Sequence, residues 1–129
     1  MPHRPFSTGV LALLVALLCV ARPAAAQAGA CSAARGTPAL RECGTADVRR
    51  ADAELNRVYG RLSGKLDAGR RRLLLEAQRA WLRYRDAQCR FAASESTGGT
   101  LEAIERLDCL ATVTRARIHD LRAELYSGR

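Results

Sequence analysis

The sequence predicts an all-α fold, a disulfide-stapled antiparallel three-helix bundle preceded by a short N-terminal helical turn. Three observations support this prediction. Apolar residues recur at steps of three and four in three long stretches, which is the spacing of one face of an α-helix. Short polar or glycine-containing connections separate the stretches, so that consecutive helices should run antiparallel. Four cysteines lie beyond the first 30 of the 129 residues, a number typical of a small stapled domain.

The first residues have the pattern of a secretory leader. Residues 1–9 contain Arg4 and no acid, residues 10–20 form an apolar run, and Ala-x-Ala patterns follow. We predict a signal peptide over 1–26, with cleavage after Ala26 or Ala28, and one periplasmic or secreted domain over 27–129. The run is shorter than the roughly 18 residues of a membrane span, so we expect no transmembrane span in the mature form. We do not expect a lipid anchor on Cys31, because that residue lies well beyond the run.

Charge narrows the classes of partner. The whole sequence has a formal net charge of +8, and losing Arg4 and Arg22 with the leader leaves +6. Lys65 is the one lysine, so the positive charge is carried almost entirely by arginine. This balance favours anionic envelope components, namely lipid head groups, acidic polymers or acidic proteins. We do not expect nucleic acid as a partner, because the chain is predicted to be exported.

Cysteine usage predicts disulfides and no metal. Cys19 leaves with the leader, and four cysteines remain: Cys31, Cys43, Cys89 and Cys109. Four cysteines can pair in three ways. The sequence contains no Cys-x-x-Cys pair, and His119 is the one histidine of the mature chain. We therefore predict neither a metal site nor a cofactor.

The first helical stretch has its boundaries marked by turn-forming residues. Thr37 and Pro38 read as the N-cap and first position of a short turn that reaches Cys43. A long helix is then predicted over about 46–67, ended by the tripeptide at 67–69. Its predicted buried stripe is Val48, Ala51, Leu55, Val58, Tyr59, Leu62 and Leu66.

Two further helices follow the same spacing rule. The second is predicted over about 70–94, with an inward stripe of Leu73, Leu74, Ala77, Trp81, Tyr84, Ala87 and Phe91. Thr100 is the predicted cap of the third helix, which runs to about 126. Its predicted inward residues are Leu101, Ile104, Leu107, Ala111, Val113, Ile118, Leu121 and Leu125.

The register of each helical hairpin can be estimated from its turn. Folding the first two helices about a turn near residue 68 sets Asp52 opposite Arg85, and Asn56 opposite Trp81. Residue 99, inside a Gly-Gly pair, is the midpoint between Cys89 and Cys109, so a bridge between them fits the second hairpin. We favour the pairs 31–43 and 89–109, while the other two connectivities stay open.

The same register predicts a layer of polar side chains between the helices. Asp52 and Arg85 would form a partly buried ion pair that fixes the helix register. Folding about residue 99 sets Trp81 opposite Arg117, where the cation can stack on the ring, and Tyr84 opposite Thr114. The predicted structural layer is Asp52, Asn56, Gln78, Trp81, Arg85, Thr114 and Arg117.

Three segments carry a family resemblance. They are Ala51-Asp52-x-x-Leu55-Asn56-x-x-Tyr59, Gln78-x-x-Trp81-x-x-Tyr84-Arg85-Asp86-x-x-Cys89 and Cys109-Leu110-x-x-x-Thr114-x-x-Arg117. On the basis of these segments, the chain resembles the N-terminal domain of the LprI-type lysozyme inhibitor family. The resemblance covers nearly all of the mature chain. The resemblance implies an exported, non-enzymatic protein that inhibits lysozyme or another wall hydrolase. The candidate contact is the polar loop Ser94, Glu95, Ser96, Thr97, Gly98, Gly99 and Thr100.

A second functional class is an envelope accessory protein. In that hypothesis an arginine-rich face holds anionic lipid or polymer, and the candidate patch is Lys65, Arg70, Arg71 and Arg72. We predict no enzyme and no catalytic residue. Glu76 and Asp86 would lie about 15 Å apart along a helix axis, and His119 has no nucleophile in an identifiable setting.

Overall fold

The computed structural model describes residues 30–127 and is all-helical over that range. It contains α1 (Thr37–Lys65), α2 (Ala68–Ala92) and α3 (Glu102–Tyr126), with 3-10 turns at Ala30–Ala33 and Ser94–Ser96. The predicted all-α, disulfide-stapled fold is confirmed. Within these residues no helix has the length and apolar character needed to cross a bilayer. The predicted leader and its cleavage site lie outside the described range.

The start of α1 differs from the prediction. Thr37 is the first helical residue and not the cap, and the helix continues without a break through the residues predicted to separate a short turn from a longer helix. Gly44 lies at the position expected to break it. A Cβ on Gly44 would lie 3.2 Å from the Cβ of Leu107, so this glycine lets α1 approach α3 closely. The position predicted to interrupt the helix is therefore a place where α1 contacts α3.

The connection between α1 and α2 lies about two residues earlier in the chain than predicted. Asp67 is the N-cap of α2, and its Oδ1 accepts a hydrogen bond from the Arg70 amide at 2.9 Å. Ala68 and Gly69, expected to form a turn, are already helical. The backbone hydrogen bond from Arg70 is the main reason why the pKa of Asp67 lies below its ordinary value. The cap thus defines where the second helix begins.

The apolar core lies mainly between α1 and α3. Its buried cluster comes from these two helices alone and comprises Leu55, Val58, Leu62, Ile118, Leu121 and Leu125. Leu74 and Trp81 of α2 are only partly buried against it. Helix α3 packs along α1 and, less extensively, along α2. The predicted inward faces of α1 and α3 are therefore largely those that the structure buries.

The predicted inward face of α2 is wrong in part. Leu73 is 62% exposed, Tyr84 57% and Phe91 74%, and Leu101 before α3 is also exposed. The residues that α2 buries are Gln78 and Cys89. Apolar spacing reveals that a stripe exists, but α2 carries large apolar residues on more than one face. The structure turns the face of Gln78 and Cys89 toward the other helices.

Two disulfides tie the elements together. One joins Cys31 of the first 3-10 turn to Cys43 of α1, with Cα atoms 5.6 Å apart. The other joins Cys89 of α2 to Cys109 of α3, with Cα atoms 5.5 Å apart. These are the pairs that the sequence favoured. Cys89 is fully buried, so the second bridge lies inside the α2–α3 contact.

Replacing Cys89 and Cys109 together by alanine should lower the free energy of unfolding by about 3 kcal/mol, because the open chain regains loop entropy. Denaturant unfolding followed by circular dichroism measures this loss. The matched variant replaces Cys31 and Cys43, which are less deeply buried, and should lose less. An unchanged unfolding midpoint in the first variant would contradict a structural role for that bridge.

Candidate functional site

Arg85 of α2 reaches both other helices. Its Nη1 donates to Asp52 Oδ1 of α1 at 2.9 Å and to Thr114 Oγ1 of α3 at 3.3 Å. Its Nε donates to Oδ1 of the adjacent Asp86 at 3.1 Å. The Arg85 side chain is 13% exposed and Thr114 is fully buried, so water replaces a lost partner poorly here. A single guanidinium thus connects all three helices.

A second arginine completes the layer around the tryptophan. Arg117 Nε of α3 donates to the buried Gln78 Oε1 of α2 at 3.2 Å. The guanidinium carbons of Arg85 and Arg117 lie 5.3 and 5.9 Å from the centroid of the Trp81 ring. Both distances fall within the range of cation–π attraction. Trp81 therefore lies within the layer, where its ring attracts both cations.

One predicted facing differs in the structure. Tyr84 points largely into solvent, and Thr114 instead accepts its hydrogen bond from Arg85. Asn56 is exposed and lines a groove of ≈ 320 Å³ between α1 and α2, whereas Trp81 packs against the core cluster. Hydrogen bonds or ring contacts link the other six predicted layer residues, and Asn56 lines its groove together with Asp52, Gln78 and Arg85. The layer can fix helix register, and its donors and acceptors are largely committed to one another.

Sequence reasoning missed the polar links between α1 and α3. Asp47 accepts from Arg115 at 2.8 Å, and Glu54 pairs with Arg122. Each link joins residues 68 apart, as expected for two parallel helices. Folding only consecutive helices on one another cannot detect such pairs. Asp86 was missed as well, although its position next to Arg85 was a usable signal.

Asp47 has a perturbed carboxyl group. Burial raises its pKa, but hydrogen bonds and positive charge from Arg115 and Arg50 outweigh burial and lower the pKa below its ordinary value. A carboxylate with a depressed folded-state pKa stabilises the fold above its unfolded pKa. That contribution is lost as the pH falls through the folded-state value.

The loop at 94–100 is compact and exposed. Thr97 Oγ1 donates to the Ser94 carbonyl at 2.7 Å, and the Gly98 amide donates to Glu102 Oε2 at 2.8 Å. Gly98 has φ of +76°, a conformation that glycine adopts without strain. Thr100 is not the cap of α3, because the helix begins at Glu102. The internal bonds hold the loop in a defined shape next to the Cys89–Cys109 bridge.

A groove of ≈ 460 Å³ adjoins the tip of this loop. Leu107 and Leu110 of α3 provide its apolar lining, and Gly99 lies at the loop side. Arg41 of α1 and Arg106 of α3 also line it, and both are exposed. Arg41 and Arg106 line one groove only because α1 packs on α3, so folding consecutive helices on one another does not predict it.

The four cations of the candidate anion patch have different surroundings. The Arg71 guanidinium donates to two backbone carbonyls at the end of α1, at 3.2 and 2.9 Å, and so helps to close that helix. Arg72 is exposed. Lys65 and Arg70 share a hollow of ≈ 260 Å³ with two carboxylates, those of Asp67 and Glu124. The local charge is therefore mixed.

Comparison with known proteins assigns the family. The sequence model described as Lysozyme inhibitor LprI matches residues 28–121, a range that includes the polar layer, the loop and all four bridged cysteines. The chain belongs to the LprI lysozyme inhibitor family. This LprI-family chain is 39% identical over 127 residues to an uncharacterised protein of Rhizobium meliloti (strain 1021), across 87% of this chain and 91% of the relative. No solved structure matches it.

Asp52→Ala should destabilise the LprI-family fold, because it leaves the Arg85 guanidinium with one partner fewer in a poorly hydrated place. We expect a loss of about 1–2 kcal/mol, since Asp52 is itself partly exposed. The control is Asp120→Ala, whose side chain is 67% exposed. Thermal and denaturant unfolding measure both variants. Equal unfolding free energies would refute the register role of the Asp52–Arg85 pair.

Asp47→Asn should lower stability at neutral pH by up to about 1 kcal/mol, because Arg115 keeps a neutral partner in place of a charged one. The difference from wild type should shrink as the pH falls through the depressed pKa of Asp47. Urea unfolding at a series of pH values between neutral and acid measures it. A difference that stays constant with pH would rule out the charge of Asp47 as its cause.

Proposed function

We propose that this protein inhibits a lysozyme, or a related wall hydrolase, through the loop at 94–100 and the two arginines beside it, Arg41 and Arg106. The family match over residues 28–121 is the observation that carries the proposal. Export to the envelope, where such enzymes act, is part of the same proposal. The two disulfides and the family support it.

The chemistry of the target suggests what the inhibitor must present. Glycosidases of the lysozyme type hydrolyse their substrate with two carboxyl groups that flank the scissile bond. A protein that fills such a cleft needs hydrogen-bond donors or cations facing those carboxyl groups. Arg41 and Arg106 supply two cations next to Gly99, and the one carboxylate that lines the same groove, that of Glu102, accepts the hydrogen bond from the loop. The internal hydrogen bonds of the loop reduce the entropy lost on binding.

The net charges of the two proteins affect how they can associate. Lysozymes of the C type are strongly basic, and a protein of charge +6 is repelled by them at long range. Recognition must then rest on short-range contacts, and added salt should accelerate association by screening the repulsion. The alternative function, an accessory protein that holds anionic lipid or polymer, makes the opposite prediction, because salt weakens such binding.

The test is a lysis assay with a purified C-type lysozyme and the chain secreted with both disulfides formed. We expect saturable inhibition and an association rate that rises with salt. Arg106→Glu should weaken inhibition at least about tenfold, because it places a carboxylate against the acidic cleft. Arg61→Glu is the matched control, since Arg61 is exposed on α1 and does not line the groove beside the loop.

Two results would contradict the proposal. Lysis that continues unchanged in micromolar excess of the chain would remove the inhibitor function. Equal inhibition by Arg106→Glu and Arg61→Glu would leave the function in place but exclude this surface. Retention on anionic vesicles that disappears at moderate salt, without inhibition of lysis, would favour the accessory-protein alternative.

A further inference from the structure

Helix α2 carries an apolar seam that faces away from the core. Its members follow one another in alternate steps of four and three residues, which is the a/d spacing of a coiled coil. Every member is exposed, and the three large ones are each more than half exposed. The seam extends over about 27 Å of helix. Its residues are Leu73, Ala77, Ala80, Tyr84, Ala87 and Phe91.

The seam is complementary to itself in one orientation. Two antiparallel copies of α2, related by a twofold axis at residue 82, set Tyr84 of one against Ala80 of the other. The same operation sets Leu73 against Phe91, and Ala77 against Ala87. Tyr84 thus fills the space beside a small residue at the centre of the pair, the alanines let the helices approach, and Leu73 and Phe91 pack on one another at each end. A parallel pairing would instead set Tyr84 against Tyr84 and Phe91 against Phe91.

The charges beside the seam select the same orientation. Along one side of the seam lie three exposed charged residues, Glu76, Arg83 and Arg90. Within residues 30–127 none of them takes part in an ion pair. Antiparallel copies bring Glu76 beside Arg90 of the other copy, twice by symmetry. Arg83 then meets its own copy at the axis. Two attractive contacts thus accompany one repulsive contact.

We propose that a second copy of this chain covers the seam, in an antiparallel α2–α2 dimer. The buried face of α2, with Gln78 and Cys89, is on another side of the helix and stays in contact with α3. The loop at 94–100 follows the carboxyl end of α2, so the dimer presents one loop at each end of the helix pair. The proposal does not depend on lysozyme inhibition, because its tests measure what the chain associates with and none of them measures lysis.

Sedimentation equilibrium of the secreted, disulfide-bonded chain over a concentration series tests the seam. We expect a reversible monomer–dimer equilibrium. Ala80→Glu, which places charge opposite Tyr84, should raise the dissociation constant at least about tenfold. Ala53→Glu, an equivalent change at an exposed position of α1, should leave it unchanged. Circular dichroism shows whether each variant keeps its helices.

A charge exchange tests the orientation. Glu76→Arg and Arg90→Glu should each weaken the dimer several-fold, and the double variant should recover most of the loss. Arg90→Glu is the sharper single change, because it lowers the net charge. Repulsion between whole protomers would predict a stronger dimer for it, whereas the local pair predicts a weaker one.

Four results would overturn the proposal. They are a monomer at every concentration, a dimer that Ala80→Glu leaves intact, and a double charge variant as weak as its parents. The fourth is a monomer captured by anionic phosphatidylglycerol vesicles through Ala80 and its neighbours, which would mean that a bilayer covers the seam.

Discussion

The position of α2 depends on one guanidinium. The apolar core joins α1 to α3, and α2 buries little of its own surface. Arg85 connects α2 to the other two helices, because it donates hydrogen bonds to Asp52 of α1 and to Thr114 of α3. Hydrogen bonds to a charged group are directional and have fixed partners. We infer that this contact sets the rotation and the axial position of α2, while the Cys89–Cys109 bridge limits how far that helix can separate.

The candidate site inherits its geometry from these constraints. The loop at 94–100 joins α2 to α3, so its shape follows from the relative position of those helices. Arg41 and Gly99 line one groove because α1 lies close to α3, an approach that Gly44 permits beside Leu107. A shift of α2 would move the loop relative to both arginines. The polar layer therefore contributes to the proposed site without touching a partner.

The sequence predicted more of α1 and α3 than of α2, for a physical reason. Val58 and Ile118 lie on stripes with a clearly polar opposite face, so periodicity identified the buried side. On α2 the seam residue Tyr84 and the core contact Trp81 belong to adjacent faces, and spacing alone does not tell which face meets solvent. We infer that the rotation of that helix follows from the polar contacts of Arg85, which a hydrophobic pattern ignores.

Polar contacts were predictable where a short turn fixes the register. Asp52 and Arg85 flank a turn near residue 68, and folding about that turn found the pair. Asp47 and Arg115 are separated by two turns and a whole helix, so small errors in each turn accumulate and the pair was missed. Arg41 and Arg106 were missed for the same reason.

A double-mutant cycle between Asp52 and Arg85 tests the central claim most directly. The cycle compares the unfolding free energies of wild type, Asp52→Ala, Arg85→Ala and the double variant. If Arg85 holds α2 in place through Asp52, the coupling free energy should be about 1 kcal/mol or more. It should also exceed that of a parallel cycle between Arg85 and Asp86, which lie on the same helix. A coupling near zero would contradict the account.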